Sequence, residues 1–566
     1  MKAIFDWFAA NPYILLFFVV GGAVLVGKFT IKGYGLGMVA AAIVVGAGIS
    51  AWASTYGVKM TLDNFAKSLF YYLFMYGVGL RVGPSFINSL KGSGLKFTVL
   101  AVFCSVLGLI GAVALTRWWN LPDGAAGGIL AGAMTMSAAI GSAEEAVRQG
   151  VFPLTEGQTF EQVSGMIALS YGLTYIWGTV GIILICKYLP RWWGIDAKAA
   201  AKKYEEEYGV PNVDDTGLTG YRPLALRAYR LTNNEIAGMT VRQFVQKHPQ
   251  YKVINIQRGE ERLGAPDELV LQRSDIIVLG GRLEALTESM GLIGPEVPDS
   301  KALNVPIDQA EILVTNKAIV GKELQEFRTA PFAGQIALHH IERAGVAIPL
   351  GLHTRLERFD VLFVAGMKSA VDKVASAMGK VARPSSSTDL LTLAVGMILG
   401  FLIGAIQFPL AGSKVGLGNA GGLLVSGVIV SSLVSRLRFF GSTPNAARNI
   451  LEDLGLVVFI AIVGVNAGAG LISQLTGDVA LKIFAAGFLV TTIPPVLVWA
   501  IGYHWMKINP AVLMGGVAGA RSHSGPAREA AKEIGSSVPW IGFPVAYAIS
   551  GVLLTVFGYL AMVLSK

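Results

Sequence analysis

The chain has 566 residues, of which 53% are hydrophobic and only 15% are charged, and its mean hydropathy is +0.56. A soluble domain normally carries about a quarter charged residues. The composition therefore argues against a soluble enzyme and makes lipid the expected solvent for much of the chain. The formal charge of +9 fits the Lys and Arg that membrane proteins collect in cytoplasmic loops, so nucleic acid is not an expected partner. Cys104 and Cys186 lie in apolar runs and predict packing, not a disulfide, a metal site or catalysis.

Apolar runs long enough to cross a bilayer, which takes about 20 residues each, cluster at both ends of the chain. The first has Asp6 before it and lacks a basic leader and a cleavage site, so it is predicted to be a spanning helix. The runs predicted to span are 11–27, 34–53, 64–82, 95–116 and 163–187 in the first half, and 388–408, 417–436, 451–470, 480–505 and 538–563 in the second.

Each half also holds one shorter segment rich in small residues, Gly124–Ile140 and Ala511–Gly525. Both are too weakly hydrophobic to be predicted as spans. We interpret each as a re-entrant hairpin, which a membrane protein tolerates where the backbone is buried in protein or lines a cavity.

Between the two apolar clusters, the composition becomes that of a soluble α/β insert, which the polar linker Arg383–Ser387 closes. Two units follow each other in it, each with a helix start, a strand and a closing strand, Asp275–Gly280 in one and Asp360–Gly366 in the other. This order resembles the C-terminal (TrkA-C type) subdomain of regulators of potassium conductance, in tandem. No G-x-G-x-x-G fingerprint accompanies it, so NAD is not expected. The predicted domains are 1–189, 190–300, 301–387 and 388–566.

The two membrane halves carry the same motifs in the same order. In the third helix, Gly79 and Gly83 correspond to Gly464 and Gly468. Single matches between glycine-rich helices carry little weight, because small residues recur for packing alone. Several matches in one order indicate an internal repeat.

The hairpins and the last helices extend this repeat. Gly128–Ser137 corresponds to Gly515–Ser524, with Gly-x-x-Ala-Gly-Ala in both, and Tyr171 is aligned with Tyr547. These matches predict that the two hairpins have the same local structure.

Each half has five predicted spans. Because five is odd, the second half must run in the opposite direction to the first. The basic groups Lys28, Arg81–Lys96, Lys187, Arg436–Arg448 and Lys507 then fall on one side, which the positive-inside rule makes cytoplasmic. Both termini are predicted to be periplasmic and the insert cytoplasmic. The predicted fold is a polytopic α-helical membrane protein, an inverted repeat of about five spans and one hairpin per half, with an α/β insert. Inverted repeats with broken segments are typical of secondary transporters.

Glycine-rich halves with "G-A-x-[ST]-x-S" hairpins around tandem TrkA-C-type domains resemble the aspartate:alanine exchanger family of bacterial transporters. The resemblance covers essentially the whole chain. It implies a protein of the bacterial inner membrane that exchanges aspartate for its decarboxylation product alanine, without ATP. Family hairpins often carry a Thr-x-x-Pro pattern, whereas the first here reads Thr135–Ala139 without proline and the second keeps Pro526. The departure leaves the substrate open between aspartate and another acid.

The resemblance also implies that the Arg at position 81, whose repeat partner is Asn466, is important for function. The alternative is an interfacial Arg that only sets topology. Arg521 in the second hairpin is a candidate for holding a carboxylate in two parallel hydrogen bonds, or it faces the cytoplasm. His523 is either proton-sensitive or simply a hydrogen-bonding residue.

Repeat-related hydroxyls complete the predicted substrate site, although each alone could bond back to its own helix. These are Thr135, Ser137, Ser522 and Ser524. The glycines Gly79, Gly83, Gly132, Gly464, Gly468 and Gly519 are predicted to allow close packing of the helices and hairpins.

The sequence and the resemblance favour a secondary exchanger of extracellular aspartate for cytoplasmic alanine, working by elevator-like alternating access as a homodimer. No cofactor is expected. A sodium-coupled dicarboxylate carrier is the alternative transporter, although its Ser-Asn-Thr hairpin motif is absent. A channel or sensor gated by the insert is the alternative from another class. The TrkA-C-like pair is expected either to bind a small ligand or to hold two protomers together.

Overall fold

The computed structural model describes the chain except residues 32–33, 36, 90–93, 209–224, 249–250, 282–285, 287–290, 299–302, 304–306, 328–335, 344–345, 383–388, 411–412, 434–444 and 475–476. The chain divides into two compact units. The membrane unit contains residues 1–207, 343–347 and 385–566, and the second unit contains residues 208–342 and 348–384.

The first half of the membrane unit is built from helices with a clear local origin. Pro12, which has no N–H to leave unsatisfied, begins the second helix. Thr159 and Gln162 form a reciprocal capping box at the start of the long last helix. The helices are α1 (Lys2–Ala10), α2 (Pro12–Lys28), α3 (Gly37–Ser54), α4 (Asn64–Ser89), α5 (Leu95–Trp118), α6 (Ala125–Ala133), α7 (Ala138–Arg148), α8 (Phe160–Trp192) and α9 (Ala197–Tyr208), with short strands β1 (Thr30–Ile31) and β2 (Tyr34–Gly35) between α2 and α3.

The second half repeats this order. Asp389 caps its first helix by accepting from the backbone N–H groups of Leu391 and Thr392. Its elements are α12 (Leu390–Gly404), β12 (Gln407–Leu410), β13 (Ser413–Gly416), α13 (Gly418–Leu433), α14 (Asn445–Gln474), α15 (Gly477–Ala500), a π-helical turn (Ile501–Trp505), α16 (Pro510–Ala520), α17 (Ser524–Ile534) and α18 (Pro539–Ser565).

All ten predicted spans coincide with helices, and the chain is a polytopic helical membrane protein. By length and composition alone, six helices of the described residues could cross a membrane, or seven if α1 and α2 count as one span bent by 108°. Leu390–Gly404, Gly418–Ser432 and Pro510–Ala520 are apolar but shorter. The extra helix α1, with the bend at Asn11, was not predicted from the sequence.

The membrane helices pack as two groups. Helices α2, α3, α4, α12, α13 and α14 pack mainly on one another, and we call them the frame. Helices α5 to α8 and α15 to α18 form the other group, the hairpin body, with a second apolar core. The long helix α8 also packs on α14, and its counterpart α18 packs on α4. Each of the two groups therefore contains equivalent helices from both halves of the repeat.

The insert contains two sheets, and the second repeats the strand order of the first with β11 added at its edge. The first sheet runs β3-β6-β4-β5 and the second runs β11-β7-β10-β8-β9. The pairs β3–β6, β6–β4, β4–β5, β11–β7, β7–β10 and β10–β8 are antiparallel. The elements are β3 (Ala225–Arg230), α10 (Val241–Lys247), β4 (Lys252–Arg258), β5 (Glu261–Gly264), β6 (Ile276–Gly281), β7 (Ile307–Val314), β8 (Ile336–Arg343), β9 (Val346–Ile348), β10 (Val361–Met367), α11 (Lys368–Met378) and β11 (Gly379–Ala382).

The hydrogen bonds of the two sheets repeat as well. Asn233 donates to the carbonyl of Leu292 and Asn316 donates to that of Ala377, both at 2.8 Å. Where the first sheet has α10, the described residues of the second have a 3₁₀ turn, Leu324–Phe327. The repeated topology is a duplication, and the TrkA-C resemblance stays a prediction.

The boundary of the membrane unit lies later than the prediction at residue 190. Helix α9 belongs to this unit because it packs on the second hairpin. Its Ala200 carbonyl accepts from Asn509 at 3.0 Å, and its Glu205 accepts from the Ser536 hydroxyl at 2.6 Å. Charged residues made this amphipathic segment look soluble in the sequence.

Candidate substrate site at the hairpin tips

Helices α6 and α7 form a re-entrant hairpin, which we call hairpin 1. Helix α6 runs along α8, since Gly124 packs on Val163 and Gly132 packs on Tyr171. Helix α7 then returns beside α6, because a Cβ added at Gly127 would lie 2.6 Å from the Cβ of Ala143. The hairpin therefore begins and ends near the N-terminal end of α8 and turns near the middle of that helix.

Helices α16 and α17 form the equivalent hairpin 2, which enters from the other end of α8. Its far end carries Glu533, which pairs with Lys187 at 3.1 Å and with Arg191 at 3.0 Å. Both basic residues lie in the C-terminal part of α8, whereas Ser164, beside the base of hairpin 1, lies near its start. The two hairpins thus approach from opposite ends, as an inverted repeat requires.

The tips of the two hairpins share an unusual backbone conformation. Thr135 has φ +54° and its repeat partner Ser522 has φ +55°. A left-handed conformation is rare for residues other than glycine, above all for a β-branched one, and costs about 1–3 kcal/mol. Strain of this kind clusters at functional sites, and here it occurs at equivalent positions in both halves.

The tips touch each other through Thr135 and Arg521. The Thr135 hydroxyl donates to the Arg521 carbonyl at 2.9 Å. The Arg521 guanidinium is fully buried and donates to two backbone carbonyls, that of Thr491 at 2.8 Å and that of Ala133. One Arg therefore joins α15 to both hairpins.

Both carbonyls need an outside donor for a physical reason. The carbonyl of Thr491 would normally accept from residue 495, but Pro495 has no N–H. The carbonyl of Ala133 ends α6, where the last helical carbonyls have no partner within the helix. Arg521 supplies donors to both, and its Nε atom is buried without a hydrogen bond.

The helix ends give the tips a mixed potential. Helices α7 and α17 begin at the tips, so their N-terminal N–H groups and positive dipole ends converge there. Helices α6 and α16 end there, which adds carbonyl oxygens. With Arg521, the site can attract a carboxylate, and its carbonyls can accept from an ammonium group.

The other predicted hydroxyls lie at the same break. Ser137 is the N-cap residue of α7, and its hydroxyl is 2.8 Å from the Tyr171 hydroxyl. Ser522 is half-buried, and Ser524 is exposed at the start of α17. His523 caps α17, because its Nδ1 accepts from the Gly525 N–H at 2.9 Å. That bond requires an unprotonated Nδ1.

The structure does not bring Arg81 and Asn466 to the tips through any described hydrogen bond. Arg81 pairs with Glu452 of α14 at 3.0 Å and donates to Asn449 at 3.1 Å. The Asn466 side chain accepts from the Leu62 N–H at 2.7 Å and donates to the Leu62 carbonyl at 3.0 Å. Asn466 thus joins elements of the frame, whereas Arg81 is also hydrogen-bonded to Tyr547 of α18, the helix on which Gly519 of hairpin 2 packs.

The predicted glycines lie where helices come close. A Cβ at Gly79 or Gly83 would overlap α13, and one at Gly464 or Gly468 would press on α3. In the hairpins, a Cβ would overlap α8 at Gly132 and α18 at Gly519.

These glycine contacts also correct the alignment of the last helices. Gly132 packs on the segment from Tyr171 to Tyr175, and Gly519 packs on that from Phe543 to Tyr547. Tyr547 therefore corresponds to Tyr175, one helical turn beyond the predicted Tyr171. Small and aromatic residues recur every turn in both helices, so the sequence alone allows either register.

A buried ion pair beside hairpin 1 was missed in the sequence. Lys67 of α4 and Glu144 of α7 lie 3.2 Å apart, with 3% and 1% of their side chains exposed. The Ser164 hydroxyl donates to the same carboxylate, and Lys67 lies 4.9 Å from the centre of the Phe160 ring. The signal was a pair of acids, Glu144 and Glu145, in a segment otherwise predicted to be buried.

Comparison with known proteins gives the same two membrane halves. A family model of the aspartate–alanine exchanger type, described as a predicted permease membrane region, matches residues 13–191 and 392–563. The chain is 65% identical over 565 residues to an uncharacterized transporter of Bordetella parapertussis, covering 100% of both chains. It is 30% identical over 578 residues to an uncharacterized transporter of Desulfotalea psychrophila, covering 100% of this chain and 86% of that one. The chain therefore belongs to the aspartate–alanine exchanger family of membrane transporters.

Proposed function

We propose that this transporter exchanges external aspartate for internal alanine by alternating access, with the hairpin tips as the substrate site. The observation that carries the proposal is the contact between Thr135 and Arg521, where two re-entrant hairpins from opposite ends of α8 meet. Broken segments that meet near the midplane of inverted repeats are the usual position of substrate in secondary transporters.

The chemistry at the tips fits an amino acid with one extra carboxylate. The starts of α7 and α17 present N–H groups to a carboxylate, and Arg521 adds a positive charge. The carbonyl ends of α6 and α16 suit an ammonium group. Alanine and aspartate share the ammonium group and one carboxylate, and they differ in the second carboxylate.

The proposed orientation places both termini in the periplasm and the insert in the cytoplasm of a bacterial inner-membrane protein. It is supported by the basic groups on one predicted side, among them Lys187 and Lys507. A homodimer through the frame is also proposed. Exposed apolar side chains on α2 and α12, such as Phe17 and Leu402, suit lipid or a second copy.

The test is aspartate uptake into proteoliposomes. Vesicles are loaded with alanine, succinate or buffer, and labelled aspartate is followed with and without a sodium gradient. We expect uptake that requires internal alanine and ignores sodium. Sodium-driven uptake into empty vesicles would instead establish the coupled carrier, and exchange with internal succinate but not alanine would replace the proposed substrate pair.

A further inference from the structure

The return arms of the two hairpins differ in how far they are buried. Ten of the eleven residues of α7 are buried, whereas α17 has four buried residues among its eleven. Helix α7 packs on α13 of the frame as well as on its own body, and α17 packs on α8, α16 and α18 of the hairpin body. Hairpin 1 is therefore closed against the frame in this structure, and hairpin 2 is open.

The closed side is held by charge and by shape. Lys67 and Glu144 form the buried pair across the boundary between α4 and α7. One turn further along α4, the Tyr71 ring lies where a Cβ on Gly141 would be, so glycine is required opposite this tyrosine. The Tyr71 hydroxyl is 3.4 Å from the Ala138 carbonyl.

The repeat identifies the matching positions on the open side. The register that pairs Gly79 with Gly464 also pairs Lys67 with Glu452 and Tyr71 with Leu456. The register that pairs Gly132 with Gly519 pairs Gly141 with Arg528. On the open side, the frame therefore carries Glu452 at the position equivalent to Lys67. Hairpin 2 carries Arg528 at the position equivalent to Gly141.

We propose that an ion pair between Arg528 and Glu452 closes hairpin 2 against α14 in the opposite-facing state, as Lys67 and Glu144 close hairpin 1 here. The proposal rests on the alternating access proposed above. In inverted-repeat transporters the opposite-facing state arises when the two repeats exchange their arrangements. In that exchanged arrangement, Arg528 packs against Leu456, as Gly141 packs against Tyr71 here. Leu456 lies one helical turn from Glu452.

Size and charge both fit this exchange. Leucine is smaller than the tyrosine it replaces, which leaves room for an arginine side chain in place of Gly141. Arg528 is exposed in the present state, so it is free to move with α17. Glu452 is 8% exposed and pairs with Arg81. Removing the partner of a buried charge is strongly destabilising, and Arg528 adds a further cation to Arg81 and Arg448 when hairpin 2 closes.

Cysteine cross-linking tests the geometry without reference to substrate. In a background of Cys104→Ala and Cys186→Ala, one variant carries Leu456→Cys with Arg528→Cys. A second carries Tyr71→Cys with Gly141→Cys, the repeat-equivalent pair, where a Cβ added at Gly141 would overlap the Tyr71 ring. Mild oxidation in liposomes is followed by counting free thiols with a maleimide polymer. Both pairs are expected to cross-link, and adding Glu144→Gln should raise the first at least threefold and lower the second.

The proposal is overturned if the Leu456/Arg528 pair keeps its thiols in both backgrounds while the Tyr71/Gly141 pair cross-links. Failure of the Tyr71/Gly141 pair overturns it too, because the closed side would then be wrong. If both pairs cross-link and the protein with its native Arg528 shows no aspartate exchange, the closure is kept and the substrate is rejected, which separates the two proposals.

Charge variants test the pair itself. Arg528→Gln should lower the exchange rate about tenfold, and Arg528→Lys should restore most of it. Lys532→Gln is the matched control, since Lys532 lies on the same helix and pairs with Glu529 at 2.8 Å at the surface. Equal exchange by Arg528→Gln and Lys532→Gln would overturn the role of Arg528.

Discussion

Thr135 and Arg521 are 386 positions apart in the chain, and the hydroxyl of one donates to the carbonyl of the other at 2.9 Å. The bond joins the tips of the two hairpins at the residue where hairpin 1 is strained. In the proposed function, it is the point at which both halves of the repeat act on one bound substrate.

The first prediction removes this hydroxyl. Thr135→Val keeps the shape but leaves the Arg521 carbonyl without its donor, at a cost of about 1–3 kcal/mol. We expect aspartate exchange to fall about tenfold or more, since about 1.4 kcal/mol is a factor of ten. Thr135→Ser, which keeps the donor, is the control, and wild-type exchange by Thr135→Val would contradict the importance of the contact.

The second prediction concerns the Arg521 guanidinium. Its planar fork serves two carbonyls on different helices, which the single ammonium of lysine does not reproduce. Arg521→Lys is therefore expected to lower the exchange rate at least tenfold. Measuring both the half-saturating aspartate concentration and the thermal stability separates its two roles. A rise in that concentration at unchanged stability indicates substrate contact, and unchanged affinity and rate would refute the assignment.

The sequence predicted the spans and hairpins because run length and small-residue content are local properties. The repeat placed Thr135 and Ser522 at equivalent positions, and both have the same left-handed backbone conformation; their contact with substrate stays a prediction. The partners of Arg521 were not predicted, since the carbonyls of Ala133 and Thr491 carry no residue identity. The clue was Pro495, which frees one of these carbonyls. Arg81 was assigned to substrate from the resemblance; its described partners are Glu452 and Asn449 of the frame and Tyr547 of the hairpin body, and its role in substrate binding stays a prediction.

The buried ion pair gives the third prediction. Lys67→Met leaves Glu144 buried without its cation, which typically costs about 3–5 kcal/mol. The double variant Lys67→Met with Glu144→Leu removes both charges and should recover much of that loss. Thermal unfolding in detergent measures the difference.

A surface pair provides the comparison for this experiment. Lys482 and Asp478 lie 2.7 Å apart with 43% and 72% of their side chains exposed, so Lys482→Met should cost about 0–1 kcal/mol. If Lys67→Met were no more destabilising than Lys482→Met, the pair would not hold hairpin 1 against α4.

The fourth prediction uses the two hairpin glycines. Gly132→Ala and Gly519→Ala each place a methyl group into the backbone of a neighbouring helix, and overpacking of this kind costs about 1–3 kcal/mol or more. Both variants should lower the yield of monodisperse protein and the exchange rate. Gly48→Ala is the control, because nothing lies within 4 Å of its added Cβ. Equal behaviour of the three variants would contradict the close packing.

The last prediction asks whether the two sheets of the insert are stable independently. Asp275 is 1% exposed, accepts two bonds from Arg258 at 2.9 Å, and accepts from the Gln272 N–H at 2.8 Å. Arg258 in turn has a raised pKa because of its hydrogen bond to this carboxylate.

Asp275→Ala should therefore speed amide hydrogen exchange in β3 and β6 and leave β7 and β10 protected. Asp360→Ala, at the equivalent turn of the second sheet, where the carboxylate accepts from the Glu357 N–H at 2.8 Å, should give the reverse pattern. Loss of protection in both sheets from either variant would show that the duplicated units unfold together, because each then depends on the turn of the other.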